Sequence, residues 1–252
     1  MNTETLDQPI VADVAVSAPA VVIESAAPAV AAVAEGPNPF TALGLDAALV
    51  RAVSDLGYTQ PTEVQAKVIP LAMGSGKADE ASIDLMVSSQ TGSGKTAAFL
   101  LPVLNTLIAQ KAIEAAAEQA EFERQRAQAA ASGEAAPKRA KRKNPMQSRN
   151  FKAAVPGALV LCPTRELAQQ VAQDAIELVK HCKNLRVANV VGGMPYQLQI
   201  AKLQNANLVV ATPGRLLDLQ RSMQLKLDQV QLLVVDEADR MLDLGFGDDL
   251  EE

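Results

Sequence analysis

Short apolar runs alternate along the chain with longer stretches in which apolar residues recur at helical spacing. The runs lie at residues 83–88, 158–162, 186–191, 208–211 and 232–235. Several are apolar at nearly every position, which is typical of parallel strands covered on both faces. The helical stretches between them are residues 95–108, 165–180, 195–203 and 213–219. This alternation predicts an α/β fold with a mainly parallel sheet and helices on both of its faces.

Two further helices are predicted ahead of the first strand. Apolar spacing indicates one over residues 46–56, and Gly57 fits its C-terminus. The other runs towards Ile69 and would be capped by Thr62 if Pro61 lies outside it. Pro102 falls inside a later helical stretch, where we expect a kink rather than a break.

The domain organisation follows from shifts in composition. Residues 1–38 are rich in Ala, Val and Pro and contain no aromatic residue, so we expect a flexible, disordered tail, with a short docked helix as the alternative. One domain would then cover residues 39–252, with an insertion at about residues 110–150. The insertion begins as an exposed helix and continues into a basic run at residues 138–143. That run is either a solvated loop or a nucleic-acid contact.

Overall composition excludes several classes of protein. With 252 residues, of which 48% are hydrophobic, the chain can build a core and is not wholly disordered. The net charge of −6 argues against a general polycationic nucleic-acid binder, so any such surface must be a local patch. No apolar run approaches about 18 residues, and Arg51 is the first basic residue, so no membrane span or secretory signal is expected. Two cysteines cannot form a disulfide framework, which favours a reducing, cytoplasmic compartment.

A phosphate-binding loop is the strongest chemical signal in the sequence. It follows the first predicted strand and opens a helix, and it matches the P-loop pattern except that Ser89 stands at the first glycine position. In such loops backbone N–H groups and a helix N-terminus surround phosphate oxygens. Lys95 would reach the β- and γ-phosphates, and Thr96 would hold Mg²⁺. A glycine-rich turn that merely caps a helix is the competing interpretation. The residues of the loop are Ser89, Gln90, Thr91, Gly92, Ser93, Gly94, Lys95 and Thr96.

An acidic motif, residues 236–239, follows the last predicted strand. Open α/β sheets bind ligands beyond the carboxyl ends of their strands. Asp236 would coordinate Mg²⁺ through water, and Glu237 would orient and deprotonate an attacking water. Taken alone, Asp236 is as well explained as a helix cap. Beside the P-loop the catalytic interpretation prevails, and Lys95, Asp236 and Glu237 become the predicted catalytic residues.

These motifs together resemble the N-terminal RecA-like domain of the DEAD-box RNA helicases. The resemblance covers about residues 39–252 and implies ATP and Mg²⁺ as ligands, RNA as the partner, and ATP hydrolysis coupled to local RNA duplex unwinding. The stretch from Gly57 to Gln65 resembles the family's adenine-reading Q motif, which implies that Gln65 hydrogen-bonds the adenine edge. Phe40, seventeen residues before Gly57, matches the aromatic residue that packs on the base. Tyr58 and Pro61 belong to the same implied nucleotide site.

Three shorter motifs resemble the family's contacts with the RNA backbone. Each lies at a strand end or a helix start, where amides and hydroxyls meet phosphate. Each taken singly is as well explained as a turn or a helix cap. Contacts of this kind carry no base code, so binding should be independent of sequence and sensitive to salt. The residues are Pro163, Thr164, Arg165, Gly192, Gly193, Thr212, Pro213, Gly214 and Arg215.

The resemblance is limited to the first half of the family core. The Ser-Ala-Thr motif that couples hydrolysis to unwinding and the second RecA-like domain with its arginine finger are not present. We therefore expect this chain alone to bind ATP weakly and hydrolyse it negligibly. A second RecA-like domain is the implied partner, in cis if the chain is a piece of a longer protein. A missing final strand would leave an apolar face of the sheet exposed.

Several finer interpretations stay open. Residues 211–246 look most like the bacterial RhlE-type subgroup. A non-catalytic nucleotide- and RNA-binding module and a DNA-directed helicase of the same superfamily are the alternative functions. Cys162, His181 and Cys182 lack the spacing of a metal site, and we interpret them as a buried thiol and ordinary residues after a helix.

Overall fold

The structure is a computed structural model of the chain, and it describes residues 21–25, 38–74, 84–132 and 152–251. Residues 21–25 are described by their backbone only. The basic run at residues 138–143 and the beginning of the first predicted strand at residue 83 lie outside these ranges. In chain order the elements are β1 (Val21–Ser25), a 3₁₀ helix (Pro39–Leu43), α1 (Ala47–Asp55), α2 (Glu63–Met73), β2 (Leu85–Ser89), α3 (Lys95–Ser132), β3 (Ala158–Leu161), α4 (Arg165–Leu178), β4 (Val187–Val190), α5 (Tyr196–Leu203), β5 (Leu208–Ala211), α6 (Pro213–Arg221), β6 (Leu232–Val235), α7 (Ala238–Asp243) and α8 (Gly247–Glu251).

Four strands form a parallel sheet in the order β4-β5-β3-β6. In the central strand, Ala158 pairs with Leu208 of β5 and with Leu232 of β6, and the register is kept to the ends of the strands. All four carboxyl ends therefore lie at one edge. The P-loop strand β2 belongs to a second, two-stranded sheet, in which it pairs in parallel with β1. The parallel α/β architecture predicted from the sequence is confirmed.

Helices cover both faces of the four-stranded sheet, as predicted. Ala158 and Val160 of β3 point into one core, which α1, α3 and α4 complete. Leu159 and Leu161 point into the other, which α5, α6 and α7 complete. β3 and β5 are buried at every position, which explains why their sequences are continuously apolar instead of alternating. The largest helical contributions come from Leu49, Leu100, Leu104, Val171 and Leu178 on the first face, and from Leu203, Leu216, Leu219 and Met241 on the second.

The helix that follows the P-loop is longer than predicted. A single helix, α3, covers Lys95–Ser132, where the sequence predicts one helix to residue 108 and a separate exposed one in the insertion. The two merge because the intervening residues are good helix formers and no breaker precedes Gly133. Pro102 does not end the helix, since it lies within a buried apolar run that packing stabilises. The expected kink stays a prediction.

The same helix passes a length-and-composition test for membrane spans, contrary to the sequence expectation. Its most apolar window has a mean hydropathy of 1.4, and 44% of that window is buried inside the protein. The buried residues Leu100, Leu101 and Leu107 belong to the first core. A core helix passes such a test as readily as a membrane helix, so no membrane assignment follows.

One part of the predicted N-terminal tail is a strand. Val21–Ser25 pairs in parallel with β2, and Asn38 caps the 3₁₀ helix by accepting a hydrogen bond from the Phe40 N–H at 3.0 Å. The remainder of residues 1–37 lies outside the described ranges. The run Val-Val-Ile is β-branched, and pairing satisfies one edge of β2 that would otherwise present open N–H and C=O groups.

Candidate functional site

The motifs singled out in the sequence meet at the carboxyl edge of the parallel sheet. Pro163 follows β3, Gly192 follows β4, Thr212 follows β5 and Asp236 follows β6. Given the strand order, the motifs succeed one another along the edge as residues 192, 212, 163 and 236. This edge is where open α/β sheets bind their ligands. The three predicted RNA motifs are therefore neighbours, with the acidic motif beside them.

The P-loop is held by contacts within itself. Lys95 Nζ donates hydrogen bonds to the carbonyl oxygens of Ser89 and of Gln90, the latter at 2.9 Å. The hydroxyls of Ser89 and Ser93 lie 2.7 Å apart. Gly94 has φ +86°, a left-handed conformation that side chains other than glycine rarely adopt. The Lys95 ammonium thus donates to carbonyl oxygens of its own loop. In a nucleotide complex, phosphate oxygens would replace these carbonyls as its acceptors.

The Q-motif glutamine joins the P-loop to helix α2. Gln65 is 4% exposed. Its Oε1 accepts from the Thr62 N–H at 3.0 Å, while its own N–H donates to Thr62 Oγ1 at 3.3 Å, which completes a capping box. Its Nε2 donates to the Gly94 carbonyl at 3.2 Å. Thr62 is the helix cap that the sequence predicts, whereas the contact between Gln65 and the P-loop has no local sequence signal.

The two aromatic residues of the predicted adenine site differ in their exposure. Phe40 has no exposed surface and belongs to the first core, so its ring is not presented as a platform for a base. The cap at Asn38 turns the 3₁₀ helix so that this ring faces inward. Tyr58 is 42% exposed. Burial and the nearby carboxylates of Asp174 and Glu177 on α4 raise its pKa. Pro61 is half-buried ahead of the α2 cap.

The acidic motif faces the P-loop lysine. Burial, and then the charge of Glu237, raise the pKa of Asp236, and the charge of Lys95 opposes that rise. Lys95 and Asp236 are therefore close enough to interact. Glu237 has φ +50°, and its Oε2 accepts from Arg240 Nη1 at 3.1 Å. Beside the pair, Cys162 is completely buried, and burial together with the two carboxylates raises its pKa to about 12.

The donor set suits a magnesium ion that arrives with a nucleotide. Within the described ranges no three His, Cys, Asp or Glu side chains gather as a metal site. The Thr96 hydroxyl and the Asp236 carboxylate are the two oxygen donors that the sequence assigns. Mg²⁺ commonly uses one or two carboxylates, keeps several waters and takes further oxygens from phosphate. The residues present fit that mode of binding and do not form a protein cage.

Two of the predicted RNA motifs touch each other. Thr164 caps α4 by accepting from the Leu167 N–H at 3.3 Å. Arg165 is exposed, and its Nε donates to Glu166 Oε1 at 2.7 Å. A Cβ built on Gly193 would lie 2.9 Å from Arg165 Nη1, so the guanidinium rests directly against that glycine. Its φ of +80°, a backbone conformation that residues with a side chain rarely adopt, explains why glycine stands there.

The third RNA motif is also tied to its neighbour. The Arg215 guanidinium lies 5.8 Å from the centre of the Tyr196 ring, at the first turn of α5. Its Nε is 3.7 Å from Asp218 Oδ2. The Thr212 N–H donates to the Val190 carbonyl at 3.1 Å, and its hydroxyl makes no capping bond. Pro163 and Pro213 are buried, and Gly214 is exposed.

Sequence reasoning missed three residues of this edge: Tyr196, Gln199 and Arg240. Gln199 had a usable signal, because it is a polar residue on the same helical face as the apolar residues Tyr196 and Leu203, at spacings of three and four. Arg240 follows Glu237 by one helical turn, which is the spacing of an ion pair. The Tyr196–Arg215 contact joins the first turns of two helices, α5 and α6, and has no local signal in either.

Comparison with known proteins adds a family. The model of the DEAD/DEAH box helicases matches residues 62–252. The chain is 41% identical over 208 residues to "DEAD-box ATP-dependent RNA helicase 52A" of Oryza sativa subsp. japonica, covering 82% of this chain and 29% of that protein. It is 37% identical over 213 residues to "ATP-dependent RNA helicase SrmB" of Escherichia coli K12, covering 84% of this chain and 38% of that protein. The chain thus spans about a third of these relatives.

Solved structures give the same result for the fold. The RNA helicase Prp28 from Chaetomium thermophilum bound to ADP matches with a TM-score of 0.59 and 33% identity, over 83% of this chain and 40% of that one. Dbp5 of S. cerevisiae bound to RNA and ADP BeF3 matches with a TM-score of 0.58 and 28% identity, over 84% of this chain and 42% of that one. Both agree with the RecA-like architecture expected from the sequence.

Proposed function

The chain belongs to the DEAD/DEAH box helicase family, and from this premise we propose that it forms the ATP-binding half of an ATP-dependent RNA helicase. Residues 39–252 would be one RecA-like domain carrying an insertion at about residues 110–150. The observation that carries the proposal is that Asp236 and Glu237 lie at the same sheet edge as the three RNA motifs, while the charge of the P-loop residue Lys95 acts on Asp236. Nucleotide and RNA would therefore bind to adjacent segments of one edge.

Nucleotide binding would begin with the release of Lys95 from its own loop. The β- and γ-phosphate oxygens would replace the carbonyls of Ser89 and Gln90 as acceptors for its ammonium group. Gln65 would exchange its capping or P-loop bond for the adenine edge. Thr96 and Asp236 would hold Mg²⁺, which when bound neutralises phosphate charge. The remaining loop residues and Pro61 would line the same site.

Hydrolysis requires a base beside the γ-phosphate, and we assign that role to Glu237. Arg240 occupies Oε2 at 3.1 Å and leaves Oε1 for a water. The carboxylate would accept the proton of that water as it attacks phosphorus. A second RecA-like domain would close over the site and add an arginine finger, an element worth roughly 10³- to 10⁵-fold in rate in related NTPases. The chain alone would accordingly turn ATP over negligibly.

RNA would bind through its backbone. Arg165 and Arg215 supply charge, the Thr164 and Thr212 motifs start helices, and Gly192 and Gly193 allow close approach. Such contacts give sequence-independent, salt-sensitive binding. Closure of the two domains on one strand would bend it and separate a duplex locally. A cytoplasmic location and the RhlE-type subgroup stay predictions.

Fluorescence anisotropy tests the proposal. We would titrate the chain with labelled oligouridylate and, separately, with a fluorescent ADP analogue. Arg215→Ala should weaken RNA binding by roughly tenfold and leave nucleotide affinity unchanged, while Arg126→Ala, in the exposed extension of α3, serves as the matched control. Equal losses for both variants, or no RNA binding by the unchanged chain, would contradict the RNA half of the proposal.

Two further measurements separate the alternatives. Single-turnover ATP hydrolysis with and without Glu237→Gln tests the non-catalytic module: if this variant changes nothing while Lys95→Ala abolishes nucleotide binding, the chain is a binding module. Competition by DNA of the same sequence tests the DNA-directed alternative, since a DNA helicase would release the labelled RNA to DNA at comparable concentrations.

A further inference from the structure

A buried glutamine holds the loop that joins β4 to α5, residues 191–195. Gln199 has no exposed surface. Its Nε2 donates to the Val191 carbonyl at 2.8 Å and to the Met194 carbonyl at 3.1 Å. These two carbonyls flank Gly192 and Gly193. One buried side-chain amide therefore holds the backbone on both sides of the glycine pair.

The loop presents donors that nothing described here uses. Among the described residues, no acceptor faces the backbone N–H groups of Gly192 and Gly193, which form a turn between Val191 and Met194. Gly193 has φ +80° and carries the Arg165 guanidinium against it. Successive N–H groups in a turn with a left-handed residue form an anion-binding concavity, and a neighbouring arginine strengthens it.

The amide of Gln199 acts only through its donor end. Its Oε1 is buried and has no hydrogen-bond partner among the described residues. An apolar side chain of the same length would remove that unsatisfied acceptor, but it would also remove the donors to the Val191 and Met194 carbonyls. Within the described part of the chain, the hydrogen bonds of this side chain therefore act on the β4–α5 loop and nowhere else.

We propose that Gln199 is a positioning residue that holds the β4–α5 loop as a preformed seat for one RNA phosphate. With both flanking carbonyls tied towards the core, the free N–H groups stay available at the surface beside Arg165. At the far end of the loop, Tyr196 carries the Arg215 guanidinium, so the seat lies between the two arginines. This inference rests on the proposed RNA binding and names a residue outside the motifs assigned to it.

The test compares two buried glutamines in the full 252-residue chain. Gln199→Met keeps side-chain length and removes the donors, and Gln199→Glu keeps shape and sets a carboxylate against the two carbonyls. Gln204→Met is the matched control: Gln204 is buried, and its Nε2 donates to the Lys152 carbonyl at 3.1 Å, outside the β4–α5 loop. NMR order parameters of the Gly192 and Gly193 amides report the loop without RNA, and anisotropy with oligouridylate reports binding.

We expect both Gln199 variants to lower these order parameters from about 0.85 towards 0.6 and to weaken RNA binding by roughly tenfold. Affinity for the ADP analogue should not change, and Gln204→Met should match the unchanged chain. A loop that stays rigid in both Gln199 variants overturns the positioning role. A loosened loop with undiminished RNA affinity overturns the phosphate seat. If the unchanged chain binds no RNA, the proposed function and the seat both fail, and the order parameters still decide whether Gln199 holds the loop.

Discussion

The nucleotide side of the domain and its RNA side differ in how far their strands are covered. On the RNA side, which we define by β3, β4, β5 and the loops that follow them, β3 and β5 are buried at every position, and β4 at every second position. On the nucleotide side, defined by β2, β6 and their loops, burial alternates along each strand. Met86 of β2 is 62% exposed and Leu233 of β6 is 60% exposed. These strands thus carry exposed apolar side chains, while the missing final strand stays a prediction.

The loops differ as well. On the RNA side, side chains of two helices hold the β4–α5 loop: Arg165 of α4 rests on Gly193, and Gln199 of α5 binds the carbonyls on either side of the glycine pair. On the nucleotide side, Lys95 binds carbonyls of its own loop, and Gln65 of α2 binds the Gly94 carbonyl. In the proposed mode of binding, Lys95 and Gln65 exchange these contacts for nucleotide, whereas Gln199 keeps its own. A site whose competent state is only partly populated binds more weakly by that fraction.

The largest expected effect is the loss of nucleotide affinity on substitution of Lys95, which tests whether the two sides bind their ligands independently. Lys95→Ala removes the ammonium that phosphate oxygens would bind, and charge-assisted hydrogen bonds contribute about 1.5–3 kcal/mol, or roughly 10- to 150-fold in affinity. RNA affinity should stay unchanged because the RNA-side loops do not depend on this residue. Isothermal titration with ADP checks the loss. Lys111→Ala, on the exposed part of the same helix, is the control and should change neither affinity.

Three glycine substitutions test the same independence of the two sides, with smaller expected effects. Gly94→Ala places a Cβ 2.5 Å from Gln65 Nε2, and Gly193→Ala places one 2.9 Å from Arg165 Nη1, both at positive φ. Left-handed backbone costs about 1–2 kcal/mol in a residue other than glycine, so urea unfolding should show a loss of that order in each. Gly94→Ala should weaken ADP binding alone and Gly193→Ala RNA binding alone.

Gly192→Ala is the built-in control for that pair. A Cβ at Gly192 meets no atom within 4 Å and its φ is not positive. Its free energy of unfolding should stay close to that of the unchanged chain. If Gly193→Ala impairs nucleotide binding as strongly as Gly94→Ala does, the division into two independent sides is wrong.

Sequence patterning predicts the strands and the local motifs better than the contacts between separate elements, and the reason is physical. Continuous apolar runs such as Leu208–Ala211 leave one interpretation, a strand covered twice. The motifs are local as well, so P-loop and acidic chemistry can be read from neighbouring residues. Contacts that cross between elements, such as Arg215 of α6 with Tyr196 of α5, depend on strand order, which periodicity does not encode. The base contact of Phe40 stays a prediction, because an aromatic residue suits a core and a base equally well and its ring lies in the first core.

A smaller effect concerns the pH dependence of the nucleotide side. Burial, reinforced by Glu237, raises the pKa of Asp236 above 3.8, so the folded state binds this proton more readily than the unfolded state. The resulting destabilisation is present at neutral pH and disappears as pH falls through the folded pKa towards 3.8. Asp236→Asn should therefore raise the Tm by about 1–3 °C at pH 7 and leave it unchanged near pH 3.5.

The carboxylate of Asp55 has the opposite effect on stability from that of Asp236. Its hydrogen bond to His181, 2.7 Å from Asp55 Oδ2, lowers its pKa below 3.8. The stabilisation from this carboxylate is present above 3.8 and is lost as pH falls through the folded pKa. Asp55→Asn should accordingly lower the Tm at pH 7. Thermal melts of the two Asn variants that shift in the same direction at pH 7 would contradict the assignment.

The smallest expected effect is a difference in the thiol-labelling rates of the two cysteines, which reports how readily the sheet edge opens. Burial raises the pKa of Cys162 to about 12 and that of Cys182 to about 11, so both thiols are mostly protonated at pH 8. Cys182 is half-buried and Cys162 fully buried, so a thiol reagent at pH 8 should label Cys182 first, with Cys182→Ser as the assignment control.

Cys162 reports on the junction between the two sides. It follows β3, and the charges of both acidic residues act on its thiol. If its labelling follows global unfolding across a urea series, the covered strands keep the junction closed. If Cys162 is labelled at urea concentrations well below the unfolding midpoint while Cys182 is still labelled slowly, the nucleotide side opens independently of global unfolding. That opening would then extend to the end of β3.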